Sequence, residues 1–309
     1  MSTKLFEATL YKIATLSNLH VGNGEANFSV LDKEVQRDPI TGFPQINASS
    51  LKGALREYIT YADYAEQSAN GNHSTEHPDA LCDIICGSDP TATDGGSKKP
   101  KQGYMRFYDA RLLSLPVRTN QKAFMRATSK EVLRAYQAYC ADFGIACDLD
   151  INALEIGHTM EEKVIAEEWE YNPSNNPEEL KELIGEDVIL MEDEHFRELA
   201  KELPFVARNY LENGISKNLW YEEIVPRESQ FYFVVEEPSK STLAYEARKV
   251  QSKESDQKVS QSFETFKKAL QDTTLFVGAN TTVGYGKCKI EQIGATRAAK
   301  EGDDEQTTH

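Results

Sequence analysis

The chain has 309 residues, of which 39% are hydrophobic, and its 34 Lys and Arg against 50 Asp and Glu give a formal net charge of −16. No run approaches the roughly 18 apolar residues of a membrane-spanning helix. The five scattered cysteines, Cys82, Cys86, Cys140, Cys147 and Cys288, exclude a disulfide scaffold and suit a reducing compartment. Met1 to Leu10 alternates polar and apolar residues without the continuous apolar run of a secretory signal, so the expected location is the cytoplasm.

An acidic balance normally argues against nucleic acid, because polyanion binding rests on Lys and Arg displacing counterions. Here the acidity is local. Asp148 to Ala200 holds 17 acidic and 3 basic residues, a net of −14, which leaves −2 for the rest of the chain. A basic face elsewhere is therefore compatible with the composition.

Leu5 to Leu16 mixes β-branched and aromatic residues in partial alternation and reads as an opening strand. A loop with Gly22 and Gly24 follows, then an extended reading for Phe28 to Val35 and a turn at Asp38 to Gly42. Asn47, Ser49 and Ser50 are N-cap candidates for a helix whose Leu51, Ala54, Leu55 and Tyr58 share one face, with Lys52 and Arg56 on another. Residues 66–103 are rich in Ser, Asn, Gly, Asp, Pro and Lys and read as a surface insertion. Tyr104 to Val117 suggests a strand, Ser129 to Phe143 a helix, and 148–204 an acidic insertion helical at Pro177 to Ile184 and Glu194 to Leu203. Phe205 to Leu211 and Ile215 to Tyr221 flank Glu212-Asn213-Gly214, a strong hairpin signal. A strand at Gln230 to Val235, a helix at Ser260 to Gln271, a Gly-rich turn, a strand through Ile290 and a flexible tail at 293–309 complete the chain. The order fits one elaborated α+β domain over 1–309, a ferredoxin-like (RRM-like) core carrying insertions.

Four separated blocks carry a resemblance. Leu19 to Arg56, Asp109 to Leu113 followed by Pro116-Val117-Arg118, Leu219 to Pro226, and Gly278 to Gly286 together resemble the repeat-associated RNA-binding (RAMP) backbone subunits of type III CRISPR effector complexes, and within them the repeated backbone subunit of the type III-B (Cmr) branch. The resemblance implies a subunit that binds crRNA guide, stacks with other copies of itself and other Cmr subunits, and cuts complementary target RNA at regular intervals. Sequence recognition would lie in base pairing, with the protein reading backbone and shape.

It also implies site residues. Asp32, preceding Gln36-Arg37, is the implied catalytic carboxylate, holding a divalent ion, Mg2+ or Mn2+, or helping to deprotonate a 2′-OH, with His20 on the same loop assisting. From the residues alone Glu25, Glu34 and Asp38 are equal candidates, and a solvated loop acid is the default. Implied RNA contacts are Arg37, Ser49, Ser50, Lys52 and Arg56 around the helix start, and Gly278, Asn280, Gly284, Gly286 and Lys287 in the Gly-rich loop. A helix N-terminus with Ser hydroxyls can hold a phosphate, and missing side chains let backbone N–H groups approach one. A solvated capped helix and a tight turn read equally from those residues. The hairpin 205–222 corresponds in position to the family's thumb, with Leu211 and Ile215 as apolar wedges. The string Thr282-Val283-Gly284-Tyr285-Gly286 matches potassium-channel filters, but a filter needs flanking membrane helices. His73, His77, Cys82 and Cys86 have a spacing that can enclose zinc, although Cys86 can equally be a small hydrophobe. Other readings are a non-catalytic RNA scaffold, a free-standing endoribonuclease and an acidic adaptor.

Overall fold

The computed structural model describes residues 4–24, 31–69, 79–88, 101–176, 178–250 and 254–295. In chain order these form β1 (Phe6–Thr15), β2 (Gln45–Ile46), α1 (Ala48–Ala69), α2 (Asp79–Cys86), β3 (Arg106–Phe107), β4 (Ala110–Val117), β5 (Met125–Ser129) and α3 (Lys130–Asp142). The acidic region supplies β6 (Gly157–His158), β7 (Val164–Ala166), β8 (Trp169–Tyr171), α4 (Glu178–Ile184), β9 (Val188–Met191) and α5 (Asp193–Lys201). Then follow β10 (Phe205–Glu212), β11 (Ile215–Glu223), β12 (Gln230–Pro238), α6 (Leu243–Lys249), α7 (Asp256–Ala269), β13 (Thr273–Phe276), a 3₁₀ turn at Thr281–Val283 and β14 (Lys287–Ala295).

One mixed sheet runs β13-β14-β1-β12-β4-β5-β9-β6, with β2 added to β4 and β3 to β12. Its central strands β14-β1-β12-β4 are antiparallel, and the β5–β9 pair is parallel. Side-chain alternation divides this sheet between two cores. Tyr11 and Ile13 of β1 and Phe231 and Phe233 of β12 face Leu51 and Leu55 of α1, Cys82 and Ile85 of α2, and Phe263 and Phe266 of α7. Leu10, Tyr232 and Val234 face the other way, onto Leu133, Tyr136 and Tyr139 of α3 and Leu180 and Ile184 of α4. A sheet covered on both faces explains the continuous apolar run from Phe231 to Val235 in β12.

Local chemistry sets the helix starts. Ser129 accepts the N–H of Val132 through its side chain and caps α3, and Val132, Leu133, Tyr136, Tyr139 and Cys140 are its buried stripe. In α1, Leu51 and Leu55 are fully buried while Ala54 and Tyr58 pack partly against the same core. At Asn213-Gly214 both residues have positive φ, 53° and 78°, which gives the hairpin turn the backbone twist of its strands. β10 and β11 form a two-stranded sheet apart from the large one, with a further bridge from Lys33 to Glu222 at the base of β11.

The structure corrects the 66–103 surface insertion. That span contains α2, whose Cys82, Ile84, Ile85 and Cys86 are buried in the core. The chain then passes back against itself, since a Cβ on Gly103 would stand 2.5 Å from the Gly87 nitrogen. The 148–204 region likewise contributes to the sheet: Val188 to Met191 are fully buried. β14 runs on to Ala295, so only 296–309 of the expected tail lies outside the described residues, together with the Phe28 to Val30 start of the extended stretch, His73 and His77. Burial and neighbouring Cys82 push the Cys86 thiol up to about 12, as for a small buried side chain in an apolar core. No described helix is long and apolar enough to cross a membrane.

Candidate nucleic-acid interface and catalytic loop

Strand β11 leaves the exposed hairpin and enters the body of the molecule at Trp220 to Glu223. There the strand is covered on both sides, and two consecutive carboxylates, Glu222 and Glu223, are buried on opposite faces at 1% and 3% exposure. Buried carboxylates persist only when hydrogen-bonded. Glu222 accepts from Lys33 Nζ at 2.9 Å, Arg208 Nε at 2.6 Å, Trp220 Nε1 at 3.0 Å and Asn280 Nδ2 at 3.1 Å. Burial, the largest influence, pushes its pKa up, but hydrogen bonds from Trp220, Lys33 and Arg208 together outweigh it and hold the carboxyl at about 2. Glu223 pairs with Arg37 and accepts the Val35 N–H at 3.0 Å.

The Asp32 segment adds to the edge of β11 as a short parallel strand. The Asp32 and Lys33 N–H groups both reach the Tyr221 carbonyl, at 3.1 and 3.2 Å, and the Glu223 N–H donates to the Lys33 carbonyl at 2.9 Å. The Asp32 side chain is exposed, and its Oδ2 accepts the Tyr221 N–H at 2.8 Å. The catalytic candidate is thus held by the hairpin root. His20 lies beneath, 3% exposed, with Nδ1 2.7 Å from the Glu223 carbonyl. A carbonyl only accepts, so Nδ1 carries the proton and Nε2 is the acceptor in the neutral ring.

The Gly-rich loop closes on the same point. The Ala279 N–H donates to the His20 carbonyl at 2.9 Å, and at Gly278, with φ +82°, a Cβ would stand only 2.4 Å from that oxygen. At Gly286 a Cβ would meet the Val277 carbonyl at 2.1 Å. Asn280 ties the loop to Glu222, while Gly284 and Lys287 face solvent.

The start of α1 joins this assembly through buried Gln36. Its amide donates to the Gly22 carbonyl at 3.1 Å and to Ser50 Oγ at 3.0 Å, and its oxygen accepts the Asn47 N–H at 2.8 Å. Ser49 is exposed, Ser50 is half-buried, and Lys52 lies 6.0 Å from the Phe107 ring centroid. Two expected RNA contacts are instead committed internally. Arg37 bonds to Glu223 and to the carbonyls of Gly42, Ala200 and Lys201. Arg56 donates to the Gly87 carbonyl at 2.9 Å and lies 3.7 Å from Asp83, fastening α1 to the end of α2. Leu211 and Ile215 stand exposed at the hairpin tip.

His20, Asp32 and the Gly-rich loop therefore converge on the hairpin root. The hub itself, Glu222 and Glu223 with Lys33, Arg208 and Trp220, was not singled out from the sequence. The signal available was a pair of acids running directly into the apolar Ile224-Val225. Among the described residues no group of three or more His, Cys, Asp or Glu can hold a metal ion. Asp32 offers one exposed carboxylate, and Mg2+ is commonly held by one or two carboxylates together with substrate phosphates, so a divalent ion fits here only when shared with RNA.

The family profile described as RAMP superfamily matches residues 12–289. The CRISPR system Cmr endoribonuclease Cmr4 of Pyrococcus furiosus is 27% identical over 259 residues, covering 74% of this chain and 81% of that protein. Among solved structures, oligomeric Cmr4 from Pyrococcus furiosus superposes with a TM-score of 0.62 at 21% identity, covering 94% of this chain and 99% of that one. A chain of the type III-B Cmr-beta complex bound to cognate target RNA gives 0.63 at 19% identity, over 92% and 96%. With its match extending over nearly the whole described fold, this chain belongs to the RAMP superfamily.

Proposed function

We propose that this chain is a guide-RNA-binding backbone subunit of a type III-B CRISPR effector complex, acting in the cytoplasm, and that it cuts complementary target RNA at Asp32. The observation that carries the reading is the convergence of the Asp32 segment, the hairpin root and the Gly-rich loop on buried Glu222. An exposed carboxylate beside a glycine-rich loop suits attack by a 2′-OH on the adjacent phosphate: Asp32 takes the 2′ proton, the new 2′-O–P bond replaces the P–O5′ bond to leave a 2′,3′-cyclic phosphate, and the departing 5′-oxygen takes a proton from solvent. When bound, Mg2+ or Mn2+ would be held by Asp32 and would offset charge on the phosphate. His20 acts through the backbone it holds.

The names of the relatives support target RNA, further copies of this chain and other Cmr subunits as partners, and the crRNA guide is the strand with which such a target would pair. The strand order β14-β1-β12-β4, with α1 before β4 and α7 before β14, supports a ferredoxin-like core, and the separate β10–β11 sheet supports a thumb.

The test is the assembled complex with labelled complementary RNA, with and without Mg2+. Asp32→Ala should abolish cutting and leave guide binding and assembly intact; normal cutting would sink the assignment. The Asp32 to Tyr221 N–H bond also suits a purely structural turn, and on that reading, a scaffold without catalysis, the wild-type complex binds target and never cuts it. Cutting by the isolated chain without guide would indicate a free-standing nuclease.

A further inference from the structure

We propose that Lys33 and Arg208 form a clamp for a backbone phosphate of the target strand next to the scissile link, which rests on the reading of Asp32 as the cutting residue. Both cations meet at one buried carboxylate, Glu222, so the cluster carries one positive charge in excess. Each is also held against an aromatic ring: the Lys33 ammonium is 5.3 Å from the Trp220 centroid, and the Arg208 guanidinium is 4.5 Å from that of Tyr285 in the Gly-rich loop. These contacts preorganise two long side chains that would otherwise lose rotamer freedom on binding.

The cluster is electrostatically incomplete. Glu222 already takes four donors, and Arg208 Nη2 is buried with no hydrogen-bond partner among the described residues. A charged donor left unfilled is costly, and a small shift of the guanidinium, whose side chain keeps 20% of its surface exposed, would turn it toward an anion. Lys33 is half exposed, which leaves its remaining donors available to a ligand at the surface.

Position selects the anion. Lys33 directly follows Asp32, and both are fixed to β11 through the Tyr221 carbonyl. On the strand edge Lys33 shares a side with Trp220 and Glu222, toward Asn280 and the Gly-rich loop. A strand presenting one phosphodiester to Asp32 would lay a neighbouring one along this cation pair. Arg and Lys together recognise phosphate without regard to base, as a subunit repeated along any guide requires.

The experiment measures binding of complementary RNA by the guide-loaded complex across a salt series, for wild type, Lys33→Gln and Arg208→Gln. Both glutamines can still donate to Glu222, and Lys33→Gln, at a half-exposed position, tests the idea even if the Arg208 variant folds poorly. Each substitution should make the log–log salt slope shallower by about 0.7 to 0.9, whereas Lys33→Arg should retain the wild-type slope. Inorganic phosphate at millimolar concentration should not compete. Wild-type slopes in both glutamine variants, in a complex whose Asp32→Ala form no longer cuts, would overturn the clamp and leave the catalytic reading standing. Continued cutting by Asp32→Ala would overturn that reading, with the clamp still judged by the slopes.

Discussion

Glu222 is an ion with four donors and almost no water, and its chemistry makes an acid-stability prediction. Its folded pKa of about 2 lies below the ordinary carboxylate value of about 4.3, so its contribution is fully present above the ordinary value and is lost as pH falls through the folded one. Thermal melts between pH 6 and 2 should show a steeper acid loss for wild type than for Glu222→Gln, the two curves approaching each other at the acid end. Parallel curves would remove Glu222 from the acid response. The glycines beside it differ in kind. Gly278→Ala combines a positive φ with a Cβ driven to 2.4 Å from the His20 carbonyl, whereas at Gly284, φ +84°, a Cβ meets nothing within 4 Å. Gly284→Ala should therefore cost about 1 to 2 kcal/mol of backbone strain, and Gly278→Ala clearly more, as denaturant titration of both variants will show.

The hairpin is an element whose shape and burial point in different directions. Its turn is well formed, yet Tyr210, Leu211, Ile215 and Leu219 are all more than half exposed, which is unusual for a two-stranded ribbon standing apart from the large sheet. Replacing Leu211 to Ile215 with a Gly-Ser link should shift stability by no more than about 0.5 kcal/mol while making target cutting slow or irregular, read from the ladder of product lengths. An unchanged ladder at unchanged rate would reject the thumb role. Elements with local signals were legible in the sequence: Ser129 with its apolar stripe announced α3, and Asn213-Gly214 announced this turn. Helix α2 was hidden because its eight residues lie among Ser, Asn, Gly and Lys, whose composition dominates any window. In the candidate site, the sequence pointed to His20, Asp32 and Asn280, which the fold brings to one place, whereas the internal partners of Arg37 and Arg56 had no sequence signal. An arginine's partners depend on tertiary packing, here the hairpin root that brings Glu223 to Arg37 and the α1–α2 contact that brings Gly87 to Arg56, and no local pattern encodes them.

At the scale of the molecule, charge is segregated. The acidic region packs α4 onto the sheet face opposite α1 and α7, and Glu161, Glu162, Glu179 and Glu182 of that region are exposed. A field of that sign repels polyanions over roughly a Debye length, about 10 Å at 0.1 M salt. Replacing those four acids with Gln should raise affinity for non-complementary RNA at low salt, lose that effect above about 0.5 M, and leave cutting of matched target unchanged. Filter binding against a scrambled RNA would check it, and unaltered background affinity would deny the region this discriminating part.

The central position of β1 governs how the chain must come together in time. Leu10 lies beside Val234 on one edge and Gly294 on the other, so the first strand made pairs with two of the last. At about 5 to 20 residues per second, synthesis leaves β1 waiting roughly 15 to 60 s for its final partner. Loop closure over such separations is slow even when the product is stable. During that interval an apolar strand with two open edges is the form of the chain most exposed to aggregation, and its protection falls to whatever holds nascent chains apart. Pulse-labelled hydrogen exchange during refolding should accordingly find β1 amides protected last, after those of α3.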